Sequence, residues 1–181
     1  MLYLFHIRLT EKDYYAFNLF HMLRSPYGKP SVRMVRIILA ILTVLVVGLE
    51  LYPFTGDPTQ ILSAVLYLIG ISLLQLLVHP FFILILKLNI RQMKKAGKLP
   101  YSPESTMEFY DATFKEITPG QSSELTYDKL ERISVVRGQA IYMHLNNLGG
   151  YIIPENCFPT PADTENFIQF LKTKCKTTDI Y

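Results

Sequence analysis

The chain contains no tryptophan and only two cysteines, Cys157 and Cys175. Neither cysteine has the spacing of a metal site or of a CxxC redox motif, which excludes a disulfide framework and a zinc-ribbon type of fold. We interpret both as reduced, partly buried thiols, which persist in the cytosol. Residues 1–15 lack a basic segment followed by a long apolar stretch, so we expect no signal peptide.

Motifs that carry chemistry are also lacking. The sequence has no GxxxxGK[ST], GxGxxG or GxSxG, and its four histidines form no HxH or HxxxH pattern. We interpret the carboxylates of the second half as a solvated face rather than a general acid–base pair. These considerations predict no enzyme activity, no cofactor and no metal site. The carboxylates are Glu104, Glu108, Asp111, Glu116, Glu124, Asp128 and Glu131.

Charge is divided unevenly along the chain. Residues 1–99 hold 11 Lys and Arg against 4 Asp and Glu, whereas residues 100–181 hold 7 against 11. A nucleic-acid-binding domain would be expected to carry a basic face on its folded part. Here the basic residues flank apolar runs and the remainder is acidic, so we expect no nucleic-acid partner.

Two apolar runs dominate the first half, at residues 37–54 and 61–86. Their apolar residues lie all round the helix, whereas a soluble core helix would have a polar stripe. A helix of 18 residues is about 27 Å long, close to the roughly 30 Å core of a bilayer. We predict a transmembrane hairpin over residues 34–88, with helices at about 34–54 and 61–86.

The connector between the two runs has no Lys or Arg, whereas nine of these residues flank the hairpin. Such asymmetry predicts a cell (inner) membrane protein with both termini in the cytoplasm. The connector would form the external turn, with Thr59 capping the second helix. We expect a basic membrane collar that faces the anionic inner leaflet of the lipid bilayer. It comprises Arg33, Arg36, Lys87, Arg91, Lys94, Lys95 and Lys98.

Polar residues interrupt the second run. Ser72, Gln75 and His79 are spaced three and four apart, so they share one intramembrane polar face. They are candidates for packing contacts with the first helix or with a second subunit. The alternative is a proton or solute route that uses them with Glu50, which requires an oligomer because two spans enclose no pathway.

The remaining segments are predicted to lie in the cytoplasm. Residues 1–33 form a strand and an amphipathic helix, and residues 89–104 form a basic linker. Residues 105–181 alternate as short strands with turns, including one strand over 106–118 with a bulge near Phe109, and end in a helix that Thr160 caps. The fold class is an α+β membrane protein with a small antiparallel β domain closed by a C-terminal helix. We also expect the opening strand to pair with this sheet, because its backbone would otherwise be unpaired.

Several segments resemble the YcxB-like family of small bacterial membrane proteins. They are "LTEKDYYAF" and "HMLRSPYGKP" before the hairpin, then "TFKEIT", "ELTYDKLERI", "AIYMHLNN" and "YIIPENCF". The resemblance covers nearly the whole chain. It implies a pleckstrin-homology-like (PH-like) domain beneath two membrane helices, and it supplies no catalytic residues.

The sequence thus favours a non-enzymatic, membrane-anchored interaction module that presents a PH-like domain at the cytoplasmic face to an unknown protein partner. The alternative is a small oligomeric transporter or channel subunit. A membrane-bound enzyme is the third reading.

Overall fold

A computed structural model of the protein describes residues 1–26, 28–97, 99, 101–145 and 149–181. The chain divides into two compact units. The sheet unit comprises Met1–Asn18 and Met93–Tyr181, and the hairpin unit comprises Leu19–Gln92. The sheet unit is therefore assembled from both ends of the chain.

The hairpin unit is built on two long apolar helices. They are α2 (Gly28–Glu50) and α3 (Pro58–Lys95), and α1 (Glu11–Leu23) precedes them. Helix α1 begins with a capping box, in which the Thr10 backbone N–H donates to Asp13 at 2.9 Å. None of the residues of α2 is buried. Most of its apolar side chains are exposed, and a stripe at Val35, Leu39, Thr43 and Val46 is partly covered.

Both long helices have bounds different from those predicted. Helix α2 begins at Gly28 rather than near residue 34, and it ends at Glu50. Helix α3 extends into the predicted linker as far as Lys95. The segment 89–95 is helical because it contains no glycine or proline. Gly97 has a φ of +66°, and its N–H donates to the Lys94 carbonyl at 3.1 Å, so the chain leaves the helix there.

The connector is closed by side chains that satisfy the ends of the helices. Asp57, not Thr59, caps α3: its carboxylate accepts from the Thr59 N–H at 2.9 Å, and Pro58 is the first helical residue. That hydrogen bond holds the pKa of the Asp57 carboxyl below its ordinary value. The amide of Gln60 donates to the Glu50 carbonyl at 2.9 Å and to the Pro53 carbonyl at 3.0 Å. The Ser63 hydroxyl donates to the Glu50 carboxylate.

The sheet unit contains two four-stranded sheets. The first sheet is antiparallel, in the order β1-β2-β3-β4. The second has the order β7-β6-β5-β8, and its short last strand runs parallel to β5. The strands are β1 (Tyr3–Arg8), β2 (Glu104–Phe109), β3 (Thr113–Thr118), β4 (Gln121–Thr126), β5 (Arg132–Val136), β6 (Ala140–His144), β7 (Gly150–Pro154) and β8 (Thr178–Ile180).

The predicted pairing of the opening strand is confirmed, because Tyr3 pairs with Phe109 and Arg8 with Glu104 in one continuous register. The predicted bulge near Phe109 is wrong. A turn separates β2 from β3 there, with the Tyr110 N–H donating to the Thr113 carbonyl at 2.8 Å. The turn reverses the chain, which is why the alternation shifts. The segment "NLGG", whose two glycines are typical of a turn, lies partly outside the described residues, at Asn147 and Leu148.

Helix α4 (Pro161–Lys174) packs against the core that both sheets share. Thr160 caps it as predicted, since its hydroxyl accepts from the Asp163 N–H at 3.2 Å. Phe167 is fully buried, with its ring centroid 4.9 Å from those of Phe5 and Phe109. The structure is thus α+β, with two long apolar helices and a domain of mainly antiparallel strands that α4 packs against.

Candidate functional site

The inner face of the first sheet changes from apolar to polar along β3. Phe114 is buried in the core, and alternation puts Glu116 and Thr118 on the same face. Glu116 pairs with Met107 of β2, which is buried, and with Ser123 of β4. The Glu116 side chain is half-buried. Its predicted place on a solvated outer face is therefore wrong.

A groove with a volume of about 460 Å³ opens beside Glu116. Its lining comes from α1, from the segment before β2, and from β2, β3, β4 and β7. We call it the Glu116 groove. It is defined by Tyr14, Phe17, Tyr101, Glu116, Gln121 and Tyr151.

The first turns of α1 supply one wall of this groove. The Phe17 ring is stacked on His144 at 5.9 Å and meets Tyr142 edge-on at 5.1 Å. Tyr14 stacks on Tyr101 with ring centroids 5.0 Å apart and planes 25° apart. His144 is fully buried, as expected of a structural histidine, with Nε2 3.2 Å from the Ser134 hydroxyl. The contacts of Phe17 hold this part of α1 against β6.

The start of β7 supplies the opposite wall. A Cβ atom at Gly150 would lie 2.4 Å from the Met143 carbonyl oxygen, so only glycine lets β7 approach β6 this closely. The next residue, Tyr151, packs its ring edge-on against Phe114 at 5.4 Å. Tyr151 therefore reaches the inner face of the first sheet from the second sheet.

Electrostatically, the groove is defined by one carboxylate. Burial raises the pKa of the Glu116 carboxyl. Burial also raises the pKa of the Tyr151 hydroxyl, and the neighbouring Glu116 charge adds to that rise. The described residues that line the groove include no Lys, Arg or His. Within the described part of the chain, no group of three or more His, Cys, Asp or Glu is placed to hold a metal ion.

Protein-family models, curated proteins and solved structures give no match to this chain. The resemblance to the YcxB-like family therefore stays a prediction that rests on the segments quoted above.

Of the three residues of the predicted intramembrane polar face, only Gln75 forms a hydrogen bond with the described residues of α2. The Gln75 amide donates to the Arg36 backbone carbonyl of α2 at 2.9 Å. Ser72 and His79 are exposed on the surface of α3. The three side chains therefore differ in environment, although their spacing is that of one helical face.

The described residues of the predicted basic collar are all exposed. Arg33 and Arg36 lie on α2, and the others lie in the last three turns of α3. Lys94 forms an ion pair with Glu11 at 2.6 Å, which raises the pKa of its ammonium group. Lys98 lies outside the described residues. The α3 members are Lys87, Arg91, Lys94 and Lys95.

The residues of the Glu116 groove are absent from the predicted sites. The inward position of Glu116 could have been predicted from the sequence, because "TFKEIT" alternates and Phe114 fixes which face is inward. No pattern in the sequence indicates that Tyr14 and Tyr101 meet. They lie 87 positions apart in sequence and meet only because β1 returns the N-terminus to the second half of the chain.

Proposed function

We propose that this protein is a membrane-anchored binding module, in which the sheet unit binds its ligand in the Glu116 groove. The half-buried inward carboxylate of Glu116 carries this proposal. A small domain gains no stability from ionising such a group, so its place at the polar end of an apolar face is better explained by recognition.

Membrane anchoring is supported by the hairpin unit. Helices α2 and α3 have 23 and 38 residues and a mean hydropathy of 2.4 over their most apolar windows. Large apolar side chains such as Leu45 and Leu49 are exposed to the surroundings. Water disfavours an exposed apolar surface of this extent, and lipid tolerates it. The distribution of Lys and Arg favours both termini in the cytoplasm. The resemblance to the YcxB-like family would place the hairpin in a bacterial inner membrane.

The architecture of the sheet unit is consistent with the expected PH-like domain. Two small sheets share one core, and a single C-terminal helix packs against it. If the resemblance holds, the hairpin is inserted between the first and second strands of that domain, since β1 precedes α2 and β2 follows α3.

Binding is a better proposal than catalysis because of the residue types that line the groove beside Glu116. The described lining includes no histidine, cysteine, lysine or second carboxylate. A general acid–base mechanism or a covalent mechanism needs such a pair within hydrogen-bonding reach.

The transporter alternative has less support. Gln75 lies level with Arg36, toward the basic end of the hairpin, because it donates to that residue's carbonyl. A coupling site is expected near the middle of the bilayer. The Gln75 amide is also engaged in joining the helices, which is the packing role.

Anchoring is tested by labelling. Gly56→Cys should react with a membrane-impermeant thiol reagent in intact cells, because the connector is external in our proposal. The half-buried Cys157 should react only after permeabilisation, and the buried Cys175 is the internal negative control. Labelling of Cys157 in intact cells, with Gly56→Cys silent, would contradict the orientation.

Binding is tested by ¹⁹F NMR of the full chain in micelles, with tyrosine replaced by 3-fluorotyrosine. Tyr→Phe variants assign the signals of Tyr14, Tyr101 and Tyr151. Small cationic, neutral and anionic fragments should shift these signals in at least one case, with Tyr52 of the connector as control. Gln121→Trp at the rim should block the response, and Glu124→Trp on the other face of β4 should not. The proposal fails if no fragment shifts the three signals.

A further inference from the structure

We propose that the Glu116 groove binds a small organic cation bearing a primary ammonium group, with the Glu116 carboxylate as its counter-ion. This inference rests on the proposed function, because it names the ligand class of the same groove.

The first argument is charge. Glu116 is the one Asp or Glu among the described lining residues, and no described lining residue is basic. Its charge is half-buried beside Met107 and Tyr151, where water screens it less than at the surface. An ammonium group entering from solvent supplies the opposite charge that none of the described lining residues provides. An anionic ligand would instead be repelled.

The second argument is the aromatic lining. Three tyrosines and one phenylalanine line the same groove as the carboxylate. The faces of aromatic rings carry partial negative charge and attract cations within about 6 Å of the ring centroid. Tyr14 and Tyr101 are held by their mutual stacking, and Tyr151 is held against Phe114. Ordered rings lose little conformational entropy on binding.

The third argument distinguishes an organic cation from a metal ion. Calcium takes about six to eight oxygen ligands and magnesium about six, whereas the described residues that line the groove supply one carboxylate. The volume of about 460 Å³ also exceeds what a bare ion needs, and lies in the usual range for small-molecule sites. The neutral hydroxyl and amide groups of Ser105, Thr118 and Gln121 are available for the polar atoms of an organic molecule.

The test compares n-butylamine, n-butanol and butyrate, which share chain length and differ in charge. The full chain carries 3-fluorotyrosine in micelles at neutral pH, and the Tyr14, Tyr101 and Tyr151 signals are titrated. We expect saturable shifts with butylamine, weaker shifts with butanol and none with butyrate. The Tyr52 signal corrects for partition of the probes into the micelle.

Variants then test whether Glu116 is the residue that causes the preference for butylamine. Glu116→Gln should weaken butylamine binding by about tenfold or more, because a hydrogen bond to a charged group is lost. Glu116→Asp keeps the charge and should retain part of the affinity. The matched control is Glu124→Gln, which makes the same charge change on the outer face of β4, opposite Lys115. It should leave the affinity unchanged.

The outcomes separate the two proposals. Equal binding of butanol and butylamine by the unmodified chain would overturn the cation inference and leave the binding groove standing. Preference for butyrate would do the same. If none of the three probes, nor any fragment of the wider set, shifts the groove tyrosines, the proposed function itself fails. The comparison among probes needs no variant, so it holds even if Glu116→Gln folds poorly.

Discussion

Phe167 in the sheet unit exposes none of its surface, whereas Leu76 in the hairpin unit exposes 72%. Both are large apolar residues within regular helices. In α4 the apolar residues follow one stripe and the sheets cover that stripe. In α2 and α3 they lie all round, and one neighbouring helix covers only a small part. The comparison teaches that the arrangement of apolar residues, not their number, decides which surroundings a helix suits.

Polar residues show the reverse contrast. Glu116 lies on the inner face of a sheet, while Ser72 and His79 lie on the outer surface of an apolar helix. The sheet unit therefore places a polar residue on an inner, otherwise apolar face, and the hairpin unit places polar residues on an otherwise apolar surface. Those positions are where we expect substitutions to be most informative.

Deleting residues 2–9 should have the largest effect, because β1 supplies the buried Phe5 and Ile7 and an edge of the first sheet. We expect the sheet unit to lose cooperative unfolding and become protease-sensitive, while the hairpin stays helical. Limited proteolysis measures the protease sensitivity of the sheet unit, and far-UV circular dichroism measures the helix content of the hairpin. The control is Leu4→Ser on the exposed face of β1, where Leu4 is 42% exposed. An unchanged proteolytic pattern after deletion would show that β1 is dispensable.

Phe167→Ala should lower the free energy of unfolding of the sheet unit by about 3–5 kcal/mol, since it leaves a cavity among several rings. The matched hairpin variant, Leu76→Ala, should change that free energy by less than about 0.5 kcal/mol, because its side chain is largely exposed. Urea titration followed by near-UV circular dichroism measures both. Equal costs for the two variants would remove the contrast between the units.

Gln75→Leu should weaken the hairpin modestly, by roughly 0.6 kcal/mol and seldom above about 1.7, as is usual for hydrogen bonds between membrane helices. Its amide bond to the Arg36 carbonyl is the contact that is lost. Unfolding in mixed micelles measures the change. Ser72→Ala is the control, because none of the described residues is hydrogen-bonded to that hydroxyl. Loss of an ion or proton flux in reconstituted Gln75→Leu and His79→Leu protein would instead favour the transporter alternative.

Glu116→Gln should give the smallest effect, a slight rise in Tm at about pH 7. Burial raises the folded-state pKa of Glu116 above its ordinary 4.5. Its contribution to stability is therefore fully present below about pH 4.5 and is lost as the pH rises through the folded pKa. The Tm advantage of Glu116→Gln should disappear near pH 4, where both side chains are neutral. The other described residues that line the groove include no Asp, Glu, His, Lys or Arg.

The control for this pH profile is Glu124→Gln, because Glu124 is exposed and lies opposite Lys115 in the strand register. That variant should show no rise in Tm at neutral pH. A Tm advantage of Glu116→Gln that stayed constant down to pH 4 would mean that ionisation of Glu116 is not the cause.

Much of the fold could be predicted because its signals are local. The apolar runs, the capping of α1 and α4, and the turns at Gly120 and Gly138 depend on neighbouring residues, and both glycines have positive φ as those turns require. The extension of α3 to Lys95 was missed because basic residues were interpreted as a linker. Strand β8 was missed because its stability comes from pairing with β5, which is distant in sequence.

The sequence by itself determined that two helices are apolar all round, that basic residues lie at the helix ends away from the connector, and that a series of short strands ends in a helix. These properties follow from residue type and period. Only the tertiary structure decided that β1 joins the sheet across some 95 intervening residues, and that this pairing brings Tyr14 to Tyr101 beside Glu116. Which face of a strand becomes the inside depends on what packs against it, because alternation alone gives two equivalent faces.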